Sequence, residues 1–424
     1  MKYAFLFLFL CLFRVAPLFA ADTLSIGQIR TLALQNSPLQ QTKALAETTA
    51  ALQLRNIRTN ALPRIQASGQ ATWQSDVFAL PIDNPLFAVP EIPKDQYKIG
   101  VEVSERLWDG GSDKYLRQQR VLEREQTVAQ TDADVFQLRE TVTDLFFKVL
   151  LLQESEAILT ASRAYLQARL RQAEAAVSGG VSLRTHADLV RIQLLQTEQQ
   201  ISAVQADQEA LKTVLAIWIG RQDTGFQLRA PGEDFTSGAP AAGFDRPEYR
   251  LFDVQQRQVQ LGQDRLRLRL QPRVELFAHG GLGRPNPFNF FETGFEPFGL
   301  IGVRAVWTPI DWGNAGRERQ ALALQAHAVD VRRQAFDQRL LAVTAKDRAD
   351  SAKARALLEQ DEAIIALQED IVRRAEAQVQ NGIMTTTDYL AQLHLLTQAR
   401  LARKTHAVQA LQAREMLLAR TASN

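Results

Sequence analysis

Cysteine is nearly absent from this 424-residue sequence: the single example, Cys11, lies inside an apolar N-terminal run. The remaining chain has no thiol, which excludes a disulfide framework, a cysteine metal site and a cysteine nucleophile. Histidine is scarce too, and the five present, His186, His279, His327, His394 and His406, show no metal-ligand spacing. Beyond the N-terminal run, nothing offers the roughly twenty apolar residues of a transmembrane helix. The best stretch, LFFKVLLL at Leu145 to Leu152, is short and carries Lys148. Neither sign of charge dominates, with a formal net charge of +2, so no nucleic-acid partner is indicated. Glycine and proline are missing from all 67 residues between Ser112 and Ser178. An unbroken helix there would run about 100 Å at 1.5 Å per residue.

What is present begins with a secretory signal at 1–20: Lys2, a short apolar run, Pro17 and a small-residue end at Ala20. Leu10, in front of Cys11, is too large for a lipoprotein cleavage site.

Alternation with period two follows. From Arg64 to Trp73, Ile65, Ala67, Ala71 and Trp73 share a face opposite Arg64, Gln66, Ser68, Gln70 and Thr72. From Tyr97 to Val103, Tyr97, Ile99, Val101 and Val103 oppose Lys98, Gly100 and Glu102. Arg273 to Gly280 and Gly299 to Trp307 repeat the pattern less cleanly, with Phe277 on the polar side. Proline-rich loops join the members of each pair. Two readings fit these strands: a soluble amphipathic sheet, or a membrane barrel of about ten-residue alternating segments. Long loops, terminal tryptophans and the signal favour the barrel.

Elsewhere the period is helical. Leu138, Val142, Leu145, Val149 and Leu152 step by four and three, and the stripe resumes at Leu159, Leu166, Leu170 and Val177, with Glu156 and Arg163 as lapses. After SGGVSLRT it restarts at Val190, Leu194, Ile201, Val204, Leu211, Leu215 and Trp218. A 3.5-residue spacing sustained this long predicts coiled-coil packing in a hairpin that turns at Gly179 and Gly180. An antiparallel coiled-coil stalk would have the same signature.

The plan then recurs. Asp109 and Gly111 match Asp311 and Gly313, and AEAAVSGG from Ala173 matches AEAQVQNG from Ala375, both at an offset of 202. Each half reads helix, strand, loop, strand, long helix, glycine tip, return helix. The expected organisation is a first repeat over 21–219, with strands and loop at 64–108 and a tip near 178–186. A linker follows at 220–246, then a second repeat over 247–424, with strands and loop at 273–310 and a tip near 381–388. At Asp109, Gly110 and Gly111, and again at Asp311 and Gly313, a strand must become a helix within a few residues. That joint needs glycine for unusual backbone angles and a short polar side chain for the helix's free N–H groups. Trp108 and Trp312 beside the joints suit an interfacial belt. No serine, histidine and aspartate arrangement is defensible, and GGLG at Gly280 precedes a proline-rich loop instead of a helix, so neither a hydrolase nor a phosphate cradle is expected.

Taken in order, NSPLQ, LPRIQ, the joints RLWDGG and TPIDWG, and the tips SGGVSLRTHADLV and NGIMTTTDYL make the chain resemble the outer-membrane efflux protein family, the TolC-like channels. The resemblance implies a mainly α chain with a β-barrel part: a tandem repeat whose four strands join those of two further copies in a trimeric twelve-stranded barrel on an α-helical tunnel. It implies no enzyme activity and no cofactor, and a homotrimer in the lipid of the outer membrane of a Gram-negative bacterium. The channel would be the exit duct of a tripartite efflux pump or type I secretion system, joined to an inner-membrane transporter by a periplasmic adaptor. A structural periplasmic coiled-coil or adaptor protein without a pore is the competing reading.

The resemblance also places Gly179, Gly180, Val181, Asn381, Gly382 and Ile383 at tips that dock the adaptor. Gly382 and Asp388 fit the usual six-residue spacing of the second tip, where three copies of Asp388 would form an acidic aperture ring; a helix cap is the alternative role. The first tip departs from this, because Gly180 and Asp188 are eight apart. Met384 stands where some relatives carry an arginine, and Arg184 on the opposite tip is a substitute partner for Asp388.

Overall fold

The structure is a computed structural model that describes residues 22–78, 91–232, 246–289 and 292–421. The signal segment 1–20, most of the first interstrand loop and the centre of the linker lie outside the described residues. The elements in order are β1 (Thr23–Leu24), α1 (Ile26–Asn36), α2 (Leu39–Thr59), β2 (Arg64–Trp73), β3 (Asp95–Trp108), α3 (Ser112–Ser178) and α4 (Arg184–Ile219). They continue with β4 (Gln227–Leu228), α5 (Pro247–Leu268), β5 (Arg273–Arg284), β6 (Glu296–Val306), α6 (Asn314–Gln380) and α7 (Thr386–Thr421). The helices α3 and α6 have 67 residues each, and α4 and α7 have 36 each. No helix among the described residues is long and apolar enough to cross a membrane.

The chain forms two compact units, each drawing on both sequence halves. One contains residues 38–134 and 246–340. Its sheet has the order β2-β3-β5-β6, antiparallel throughout. Register decides the faces. The row Ile65, Val103, Ala278, Ile301 crosses all four strands, flanked by Ala67, Val101, Gly280, Gly299 on the same side. The opposite side carries Gln66, Glu102, His279, Leu300, and next to it Arg64, Ser104, Phe277, Gly302. The apolar face has no cover among the described residues: Ile301 is 74% exposed, and Ile65 and Ile99 are similar. On the polar face, Arg304 lies 4.7 Å over the Phe277 ring and Lys98 lies 5.2 Å over Phe298.

β3, β5 and β6 extend beyond their sequence patterns because ladder partners carry them on. β3 pairs with strands on both sides and absorbs an irregularity between Arg106 and Trp108 that puts Trp108 opposite Val274. Polar laces hold the helices of this unit. Lys43 of α2 meets Asp132 at 2.5 Å, Arg257 of α5 meets Glu125 at 2.6 Å, and Tyr249 of α5 donates to Asp337 of α6 at 2.6 Å.

The other unit contains residues 22–37, 135–232 and 341–421 among those described. Its main core sets Ile29 and Ala33 of α1 against Val142, Phe146, Phe147 and Leu150 of α3, Leu215 and Ile219 of α4, and Leu411 of α7. β1 and β4 pair in parallel at its edge, and the Gln153 side chain both donates to and accepts from the Leu228 backbone at 3.1 Å. Arg30 crosses this core to donate to Thr143 (3.0 Å), the Glu415 carboxylate (3.1 Å) and the Glu415 carbonyl (3.1 Å). A second core, between α3, α4, α6 and α7, packs Leu166, Val190 and Leu194 against Val372, Tyr389 and Leu393.

The heptad stripe is observed, with a thicker core than the spacing alone implies. Phe146, Phe147 and Leu150 lie off the stripe yet are buried, because α1 and the small sheet cover that side of α3. Toward the end of α4 the stripe drifts from Trp218 to Ile219, leaving Trp218 exposed. A straight helix of 3.6 residues per turn drifts in this way.

Candidate functional site: the hairpin tips and the strand-helix joints

Both tips lie in the second unit described. α3 ends in a Schellman turn: Gly180, at φ 69°, donates to Val177 O (3.0 Å), and Val181 donates to Ala176 O (3.0 Å). α6 ends in the same way, with Gly382 at φ 72° donating to Val379 O (3.1 Å) and Ile383 to Gln378 O (2.8 Å). Gly179 and Asn381 are the last helical turn's closing residues, donating to Ala175 O and Ala377 O. The residue after each left-handed glycine points outward: Val181 is 83% and Ile383 76% exposed. Leu183 is exposed beside them. Between the tips lies an open groove of about 880 Å³, bounded by Val181, Leu183, His186, Ile383, Met384 and Tyr389, among others.

The return helices begin four residues after each glycine, at Arg184 and Thr386. The match therefore runs in register, and the residue that corresponds to Asp388 is His186, not Asp188. Thr385 Oγ1 accepts from the Asp388 backbone N–H at 3.1 Å and donates to the Asp388 carboxylate at 2.6 Å, a local cap of α7. On the first tip Leu183 precedes the helix with no side-chain cap, and the Ser182 hydroxyl is hydrogen-bonded to His186 Nδ1 at 3.1 Å. Arg184 is highly exposed and lies 4.0 Å from Asp188 one turn along its own helix. Among the described residues no cation stands within 4.0 Å of Asp388.

Behind the groove is a polar knot that the sequence reading did not find. Tyr389, only 2% exposed, shares a short hydrogen bond with the Tyr165 hydroxyl, and Arg169 stacks 4.8 Å over its ring. Arg169 also pairs with Glu376 at 3.1 Å. Burial, aided by the Tyr165 hydrogen bond, holds the Tyr389 phenol well above the ordinary tyrosine range. The available signal was Arg169 sitting between Leu166 and Leu170 of the apolar stripe. A charge there needs a partner, and Glu376 lies on α6, far away in sequence.

The joints belong to the sheet-bearing unit and use one device twice. Asp109 accepts from Gly111 N (2.8 Å) and Asp113 N (2.6 Å); Asp311 accepts from Gly313 N (3.1 Å) and Ala315 N (2.7 Å). Each aspartate thus satisfies the N–H of the glycine just before a 67-residue helix and one free N–H in that helix's first turn. Gly110, Gly111 and Gly313 all adopt positive φ, and so does Trp312. Trp108, Trp307 and Trp312 are exposed along this end of the sheet, with Trp73 at the other. Among the described residues no group of three or more histidines and carboxylates could hold a metal ion.

Residues 29–220 match the family described as outer membrane efflux protein. No curated protein sequence matches the chain. Among solved structures, the outer membrane protein VceC from Vibrio cholerae is similar at 14% identity and a TM-score of 0.67, covering 93% of this chain and 95% of that one. The Campylobacter jejuni CmeC outer membrane channel is similar at 16% identity and a TM-score of 0.68, covering 93% and 84%. A membrane protein from Pseudomonas aeruginosa reaches a TM-score of 0.71 at 15% identity, covering 94% and 90%.

Proposed function

We propose that this chain, whose residues 29–220 match the family described as outer membrane efflux protein, is an outer-membrane channel, the passive exit duct of a tripartite efflux pump or type I secretion system. One observation carries the reading: a four-stranded antiparallel sheet whose apolar face lies open while its polar face carries arginine, glutamate and histidine. In water such a face is a liability, whereas against lipid it is the expected surface of a barrel wall. Among the described residues β2 and β6 each have a neighbour on one side only. Backbone groups inside a bilayer must be paired, so the sheet has to close with other copies, and three chains give twelve strands.

The tips then serve as the docking point for a periplasmic adaptor linked to an inner-membrane transporter. Two identical Schellman turns present Val181 and Ile383, with Gly179, Gly180, Asn381 and Gly382 as the turns' frame. Asp388 copies around a threefold axis form the aperture ring, and Arg184, which is exposed and only loosely paired with Asp188, is the proposed partner for the Asp388 carboxylate of a neighbouring chain. Bilayer conductance of the purified protein tests this, with trivalent cations added on the tip side. Discrete cation-selective steps, blocked by those ions and relieved of block in Asp388→Ala, are expected. Well-folded assemblies that form no pore would remove the channel reading, and block that persists in the variant would remove the ring.

A further inference from the structure

The register of the four-stranded sheet gathers its arginines at one end of one face. Arg64, Ser104, Phe277 and Gly302 form a row across the polar side. The next row toward the helices is Arg106, Glu275 and Arg304, and Arg273 follows beyond it, opposite Val306. Among the described residues, four arginines thus share this end of the face with one carboxylate, Glu275. Farther out the balance reverses, and Lys98 stands against Glu102 and Glu296.

The fold consumes only one of the four arginines. Arg106 donates to the Asn60 carbonyl at 3.2 Å and comes within 4.0 Å of Asp113. Arg304 approaches Glu275 only at 3.9 Å, with half of its side chain in solvent, a geometry that stabilises little. Its seat is the Phe277 ring, 4.7 Å away. Gly302 makes room for that seat, since a β-carbon there would stand 2.9 Å from Phe277 Cζ. A ring attracts the charge of a guanidinium and leaves its N–H fork for another acceptor. Arg64 and Arg273 are exposed and have no carboxylate within 4.0 Å among the described residues.

We propose that Arg64, Arg273 and Arg304 form a basic collar for anionic cargo where the sheet meets its helices. The ligand class is an organic anion, a carboxylate, sulfonate or phosphate on an apolar body, because Phe277 and the exposed Leu300 lie on the same face beside the guanidinium groups. This rests on the channel reading, in which the polar face lines the bore and rings of arginine or lysine favour anions. Closure with further copies sets β6 of one chain beside β2 of the next, so the strands that carry Arg304 and Arg64 become neighbours at each seam. A lipid phosphate is an anion as well, but lipid belongs on the opposite, apolar side of the sheet.

The test records the full protein in planar bilayers of phosphatidylcholine, whose zero net charge keeps the lipid out of the comparison. Under a potassium chloride gradient, the Arg64→Gln, Arg273→Gln, Arg304→Gln triple variant is expected to raise the ratio of cation to anion permeability by about threefold over the native protein. Benzenesulfonate added on the sheet side is expected to interrupt the native current, with dwell times that shorten about threefold for each arginine replaced. Phenyltrimethylammonium, a similar ring of opposite charge, should cause no such events. A triple lysine variant keeps the charge and loses the planar fork, so it should hold the native permeability ratio and shorten the dwell. It also decides the matter if the glutamine variant fails to assemble, because a native dwell time in it overturns the proposal. An unchanged ratio and dwell in the glutamine variant, the result if the arginines faced lipid, overturns it too, as does equal interruption by the cation. Well-folded assemblies that form no pore remove the channel reading and this inference with it, whereas a pore without these effects removes this inference alone.

Discussion

Thr385 and Asp388 hold each other at the start of α7, so Asp388 has both a local and a collective assignment. The two separate experimentally. Thr385→Val removes the cap and is expected to cost about 1 kcal/mol of stability while leaving ion selectivity intact. Asp388→Asn keeps a side-chain acceptor and removes the charge, so its reversal potential should move toward zero selectivity. Equal selectivity changes in both variants would make Asp388 a capping residue only. At the same scale, Tyr249 links pH to stability. Burial, with the hydrogen bond to Asp337 second, pushes its phenol up to about 12. The folded state therefore holds this proton more tightly than the unfolded chain, whose tyrosines ionise near pH ~10. The contribution is fully present below about pH 10 and is lost as pH rises toward 12. Thermal unfolding at pH 8 and pH 11 should show a smaller alkaline drop for Tyr249→Phe than for the native chain; equal drops would assign the slope to other groups.

Among the elements, the tips permit a clean substitution. Beyond the adjoining residues, no atom of the described residues lies within 4 Å of a β-carbon built on Gly180 or Gly382, so alanine there meets only the cost of positive φ. Each exchange is expected to cost about 1 kcal/mol, read as a shift in denaturant midpoint at constant slope, and a neutral result would show that the Schellman turn has relaxed. The bounds of α3 and β2 were legible in sequence because glycine and proline cluster at their ends and the alternation of β2 is clean. The two joints were legible for a chemical reason, since a helix start needs the acceptor that Asp109 and Asp311 supply. Other features depend on partners remote in sequence. The extra length of β3 and β5 comes from the ladder, Phe146 and Phe147 are buried by α1, and Arg169 finds Glu376 across two helices. The displaced aspartate of the first tip became interpretable only when the helix starts coincided and placed His186 in the matching position.

For the molecule as a whole, repeat and compact unit are different divisions of the chain, because each unit takes segments from both halves. Leu166, Val190 and Leu194 from the first half share a core with Val372, Tyr389 and Leu393 from the second. A protein made of residues 22–232 alone is therefore expected to lack a cooperative thermal transition, as followed by circular dichroism and calorimetry. A monomeric, cooperatively folding half would show that the first repeat is autonomous. The strand order adds a consequence for biogenesis. With β2 and β6 each unpaired along one edge among the described residues, a solitary chain in lipid would carry two rows of unsatisfied peptide groups, and in the periplasm two sticky borders prone to wrong partners. For the proposed channel, selection by the bilayer acts on the completed ring and not on the individual chain, so assembly accompanies insertion. It follows that a copy with one border blocked would be dominant over its normal siblings, stalling every assembly it joins.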